Sequence, residues 1–201
     1  MSVEGLQDGA GLRRAGNFEA RPLAIEGPLL VSARRFGDAR GSFAETYSHR
    51  DYVALGIPDQ FVQDNQSRSA AMGTVRGLHF QTAPEPQAKL VRVLRGRIVD
   101  VAVDCRAGSP TRGRHVAVEL SAENGLMLYV PTGFAHGFVT REPDTEVAYK
   151  VTGYYAPACD GGILWDDPAL GIDWGVTAEA ATLSDKDRKL PTLAELGEVA
   201  F

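Results

Sequence analysis

The chain has 201 residues, 44% of them hydrophobic and 23% charged, with a formal net charge of −5 and two cysteines. That composition fits one globular domain with a sizeable core. It argues against a general nucleic-acid binder, which needs a basic surface, and against a disulfide-framed miniature fold.

Residues 1–21 carry Arg13, Arg14 and several glycines but no apolar stretch of the export-signal kind, so they are expected to form a flexible extension. Residues 22–201 are expected to form a single domain. No apolar run approaches ~18 residues, so no membrane span is expected. Cys105 and Cys159 are then reduced thiols of a cytoplasmic protein. Residues 48–55 open with Ser48 and Asp51 in a Ser-x-x-Asp pattern and stop at Gly56, which predicts a short helix.

Strand signals fill the middle of the chain. Residues 89–94, 97–104, 114–120, 126–131 and 145–152 are short runs rich in Val, Leu and Ile. The run 97–104 is almost continuously apolar, as a strand covered on both faces would be. Val116, Val118 and Leu120 alternate onto one face, as do Thr145, Val147, Tyr149 and Val151. Turns at Arg95-Gly96, Gly108-Ser109-Pro110, Glu123-Asn124-Gly125 and Pro131-Thr132-Gly133 divide these runs. Strands at such intervals predict a mainly β sandwich or barrel with a few peripheral helices. The last helix, over 192–200, opens on Thr192 and Glu195 as a capping box.

Only four histidines occur. His49 falls at the cap of the first helix and His115 in a strand, and both read as structural. His79, in RGLHFQ (76–81), has Arg76 and Lys89 as cationic neighbours in the sequence, which suits an anionic substrate. His136, in PTGFAHGF (131–138), matches the Pro-x-Gly-x-x-His pattern of the second half of a cupin barrel. Metal-binding cupins add a His-x-His pair from the first half, but here Gln81 follows His79 at that spacing. A transition metal needs three or four such donors, so no metal is expected. Glycine loops for phosphates and a serine nucleophile elbow are missing too. What remains is an acid–base set of histidine, tyrosine, carboxylates and arginines.

Ten segments in register carry a family resemblance. They are FGDARGSFAETY (36–47), FVQDNQSRS (61–69), VRGLHFQ (75–81), QAKLVRVLRG (87–96), DVAVDCRAGSPTRG (100–113), LSAEN (120–124), VPTGFAHGF (130–138), EVAYKVTGYY (146–155), ILWDDP (163–168) and LSDKD (183–187). Over roughly residues 28–190 the chain resembles the dTDP-4-dehydrorhamnose 3,5-epimerases, cofactor-free cupin-type jelly-roll barrels that are usually homodimers. The resemblance implies His79 as general base oriented by Asp187, and Tyr149 as general acid on the opposite face of the sugar. Arg76 and Lys89 would lie near the sugar and the developing oxyanion. Arg40, Glu45, Gln63, Asp64, Asn65 and His136 would contact nucleotide and pyrophosphate. Asp160 and Lys186 fill further ligand positions, and Tyr154 would pack on the base. Without the resemblance, Asp187 reads as part of a solvated charge run and Tyr149 as a buried structural tyrosine.

The chain departs from the family pattern at Asp166, His115 and Asp160 and by its N-terminal extension. The expected reaction is double epimerisation of a dTDP-4-keto-6-deoxy sugar at carbons 3 and 5, in dTDP-L-rhamnose biosynthesis. A single epimerisation at carbon 3 or 5 is the nearest alternative. A metal-dependent cupin oxygenase and a non-catalytic sugar-binding barrel are the more distant ones.

Overall fold

The computed structural model describes residues 11–201. Fourteen strands alternate with few helices: β1 Arg13–Ala15, β2 Phe18–Pro22, β3 Leu29–Ala33, β4 Arg35–Asp38, β5 Gly41–Ala44, β6 Gln63–Ser69 and β7 Val75–Gln81 form the first half. The second half holds β8 Lys89–Arg95, β9 Arg97–Asp104, β10 His115–Ser121, β11 Leu126–Val130, β12 Phe134–Thr140, β13 Thr145–Val151 and β14 Asp160–Gly162. Helix α1 is His49–Ala54 and α2 is Leu193–Leu196, with a single 3-10 turn at Asp187–Lys189.

Two antiparallel sheets face each other. The larger runs β1-β2-β3-β11-β8-β13-β6 and the smaller β10-β9-β12-β7-β14, while β4 and β5 form a separate hairpin. This is the jelly-roll barrel expected of a mainly β cupin. Between the sheets pack Val91, Val93, Ile98, Ala102, Val116, Leu120, Phe134 and Val147. A second cluster backs the smaller sheet, where Val101, Val103 and Val139 meet Trp165, Leu170 and Trp174 of the C-terminal segment. Strand β9 contributes Ile98 and Ala102 to the first and Val101 and Val103 to the second, which is why its sequence is apolar on both faces. A third cluster joins α1 and its C-cap, through Tyr52 and Leu55, to the outer side of β2, β3 and β11.

Three expectations change. Within the expected flexible extension 1–21, residues 13–15 form strand β1 and residues 18–21 most of strand β2 of the larger sheet. Phe18 and Ala20 alternate into the core there, and burying a phenylalanine contributes about 1.5–3 kcal/mol, enough to hold the strand. The rest of the expected extension, residues 1–10, lies outside the described residues. The last helix is one turn long rather than running to 200, because Gly197 turns to φ 68° and ends it, although the Thr192–Glu195 box forms as expected. Ser48 precedes α1 without a side-chain capping bond.

Candidate active site

The barrel interior turns from apolar to polar toward one end. Gln63 and Asn65 on β6 come from a strand with no apolar residue at all, and their side chains bond to each other at 2.8 Å. Asn65 stands opposite Tyr149 on β13, and Tyr149 opposite Val91 on β8, so these side chains share the inner face. Burial pushes the Tyr149 phenol above its ordinary pKa, and the positive charge of Arg76 partly offsets this. Arg76 itself bonds the Ser69 hydroxyl at 3.2 Å and the Arg68 carbonyl.

On the opposite sheet, His79 is about one-third exposed and its Nε2 lies 2.8 Å from Asp187 Oδ1. The two residues are 108 positions apart, and the 3-10 turn at Asp187 brings the carboxylate in. Burial alone would raise the Asp187 carboxyl. Its bond and charge interaction with His79, with the Gly77 amide, hold it below the ordinary carboxylate value instead. An ionised carboxylate can only accept, so His79 Nε2 carries the hydrogen and Nδ1 is left as the basic nitrogen.

Lys89 on β8 is buried and its Nζ donates to the His79 carbonyl at 3.1 Å. Burial pulls its ammonium down to about 8, against the opposing negative charges of Asp100 and Asp160. His136 on β12 stands directly across from His79 on β7. It is bonded through Nε2 to Asp100 Oδ1 at 2.7 Å and is almost wholly buried.

That closeness of β7 and β12 depends on two glycines. A Cβ on Gly77, at φ 126°, would lie 2.5 Å from the Gly137 Cα, and one on Gly137 would lie 2.7 Å from the Arg76 carbonyl. Any side chain at either position would push the strands carrying the two histidines apart.

The structure therefore brings together His79, Asp187, Tyr149, Lys89, Arg76, Gln63, Asn65 and His136. Asp160 on β14 pairs with Lys186 and accepts from the Tyr155 hydroxyl at 3.2 Å, next to Gln81 at the edge of the smaller sheet. Tyr154 is largely exposed. Three residues are not gathered with them. Asp64 turns to the outer face of the larger sheet, where it pairs with Lys150 at 2.8 Å. Arg40 stands on the β4–β5 hairpin, almost fully exposed and paired only with Asp38. Glu45 accepts from Asn17 at 3.2 Å.

A cavity of about 350 Å³ is lined by Leu90, Arg92, Leu94, Gln66 and Lys150 of the outer face and is also bordered by Asn65 and Tyr149. None of His79, Lys89 and Asp187 borders it. Gln81, where a metal-binding barrel would have its second histidine, is spoken for: it donates to the carbonyls of Glu85 and Tyr154 and accepts from the Ala156 amide. Among the described residues no group of three or more His, Cys, Asp or Glu side chains is placed to hold a metal ion. Asp100 escaped the sequence reading. The signal was a carboxylate in the middle of the apolar run 97–104.

Residues 22–195 match the family described as dTDP-4-dehydrorhamnose 3,5-epimerase. A protein of that name from Sinorhizobium fredii is 51% identical over 174 residues, which is 87% of this chain and 89% of that protein. A Bacillus anthracis structure of the same description, with TDP and PPi bound, superposes at a TM-score of 0.84 with 47% identity, covering 87% of this chain and 99% of that one. A Legionella pneumophila dTDP-6-deoxy-D-glucose-3,5-epimerase in complex with dTDP-4-keto-L-rhamnose gives 0.85 with 42% identity, over 90% and 95%.

Proposed function

The chain belongs to the dTDP-4-dehydrorhamnose 3,5-epimerase family, and we propose that it converts dTDP-4-dehydro-6-deoxy-D-glucose to dTDP-4-dehydro-L-rhamnose by acid–base chemistry of its own side chains. The observation that carries this reading is the placement of His79 on one sheet, held by Asp187 from the 3-10 turn, with Tyr149 on the other sheet and Lys89 bonded beside His79.

The 4-keto group acidifies the hydrogens on carbons 3 and 5. His79 Nδ1 takes one of them, and the electron pair left on carbon moves into the C4 carbonyl to give an enolate. Lys89 supplies positive charge to that oxygen from a position fixed before reaction, where a low local dielectric strengthens it. The Tyr149 hydroxyl then returns a proton to the same carbon from the opposite face, which inverts it. Exchange with solvent resets both residues before the second centre reacts. Asp187 keeps His79 in the tautomer that leaves Nδ1 free. Gln63, Asn65, Arg76 and His136 line the space around the sugar, and Tyr154 offers an exposed ring to the nucleobase.

Arg40 and Glu45 lie apart from this site in a single chain, which favours a homodimer in which the β4–β5 hairpin of one protomer serves the site of its partner. The exposed Phe36 and Phe43 on that hairpin, and Leu94 on the outer sheet face, are the apolar surface such a contact would cover. Sedimentation at micromolar concentration should show a dimer, and a stable monomer with full activity would remove this part of the reading. Among the described residues no helix is long and apolar enough to cross a membrane, and a cytoplasmic setting is where a nucleotide sugar would be met.

Incubation with dTDP-4-dehydro-6-deoxy-D-glucose in heavy water, followed by NMR, tests the reaction. Deuterium at both carbons, with product that a rhamnose-forming reductase accepts, is the expected result. Deuterium at one carbon alone would replace the double reaction by a single epimerisation. Binding without exchange would replace catalysis by recognition.

A further inference from the structure

Asp100 lies in the middle of β9, fully buried, on the face that Ile98 and Ala102 present to the barrel core. One of its oxygens, Oδ1, accepts from His136 at 2.7 Å, whereas Oδ2 is buried with no hydrogen-bond partner. A buried ionised oxygen without a partner costs several times what an ordinary hydrogen bond contributes, so a carboxylate persists there only if a nearby positive charge offsets it. Lys89 is that charge. The negative charges of Asp100 and Asp160 act on it, it is bonded to the carbonyl of His79, whose strand lies beside that of the Asp100 partner His136, and only this one of its three donor directions is occupied. Among the described residues no carboxylate closes an ion pair with it, so the remaining Nζ hydrogens are not captured.

We propose that Asp100 is a positioning residue for the epimerisation: Oδ1 locks His136, and Oδ2 is the counter-charge that keeps Lys89 an ammonium aimed at the sugar oxyanion. This rests on the reaction proposed above. A direct ion pair would hold Lys89 away from substrate. A bare lysine in a dry barrel would shed its proton and lose its effect. An unpaired carboxylate at longer range avoids both outcomes, and it explains a charged residue in the midst of the otherwise apolar stretch from Ile98 to Val103.

The test compares Asp100→Asn and Lys89→Met singly and together. Asparagine keeps the shape and can still accept from His136 through its amide oxygen. Asp100→Asn should lower kcat by about 10- to 100-fold, the size expected for weakening one electrostatic contact to a developing oxyanion. The affinity for dTDP, measured by calorimetry, should stay within about twofold, because the charge acts on the transition state rather than on the nucleotide. In the Lys89→Met background the same substitution should change kcat by no more than about twofold, since the two residues act as one unit.

An unchanged kcat in Asp100→Asn would overturn the proposal, and so would an equal loss in both backgrounds. Should Asp100→Asn not fold, Asp100→Ser removes the charge, leaves room for water and carries the same expectations. Failure of both to fold, with His136→Asn folded and soluble, would make Asp100 a purely structural residue. A wild-type protein that exchanges no deuterium would instead defeat the reaction on which the proposal rests.

Discussion

Two histidine–carboxylate pairs occupy the same barrel, adjacent across β7 and β12, with nearly equal bonds: 2.8 Å for His79 and Asp187, 2.7 Å for His136 and Asp100. They differ in surroundings. His79 is about one-third exposed and takes its carboxylate from a distant turn, whereas His136 and Asp100 come from neighbouring strands and are sealed in. A base must exchange its proton with solvent between turnovers, so only the outer pair suits that role. The inner pair is almost wholly buried, where it can hold charge and geometry. Equal hydrogen bonds therefore carry unequal chemistry.

The strongest way to break the contrast is His79→Asn. It should reduce epimerisation by about 10³-fold or more and abolish deuterium exchange at both carbons, with an unchanged circular dichroism spectrum. Wild-type rates in this variant would mean that the outer pair is not the base. Asp187→Asn leaves an amide that cannot enforce the His79 tautomer, and a fall in kcat of about 10²-fold with unaltered dTDP binding is expected. Tyr149→Phe sharpens the picture from the other sheet: product formation should slow by about 10- to 100-fold while exchange at the first carbon partly survives, as measured by NMR in heavy water. Loss of exchange in parallel with product would take the acid role from Tyr149.

The pH dependence is a smaller effect. Lys89 is lowered to about 8, so its ammonium is present below that pH and is lost as pH rises through it. Steady-state kcat should decline on that alkaline side. The smallest effect is on stability. Asp187 is held below its ordinary value, so its bond to His79 contributes fully above about pH 4 and is lost as pH falls further. Thermal melts between pH 5 and pH 3 should show Asp187→Asn losing less stability over that interval than the wild type.

The sequence made much of the fold legible wherever a strand separates a wet face from a dry one. Strands β8 to β11 and β13 follow their apolar runs within a residue or two. Strand β6 has no such signal, because its inward Gln63 and Asn65 belong to the candidate site and its outward Asp64 and Gln66 bond Lys150 and Glu146, so every position is hydrophilic. Residues 13–21 were misjudged because glycines and arginines outweighed two alternating core residues, Phe18 and Ala20. The site divides along similar lines. His79 and His136 stand in recognisable patterns, but Asp187 joins His79 through a turn 108 residues away, which no local periodicity reports. Only the family resemblance pointed there. Asp100 was hidden for the opposite reason, since a run of valines around it reads as core.

Gln81 bears on how the barrel could be redesigned. Restoring a histidine there looks like a one-step return to a metalloenzyme, because it would recreate the His-x-His spacing. The imidazole, however, would have to replace an amide that clasps Glu85, Tyr154 and Ala156, on two loops. Such a swap would trade a fastened rim for one new donor. Any conversion of this scaffold to metal chemistry has to refasten those loops before it introduces the ligand.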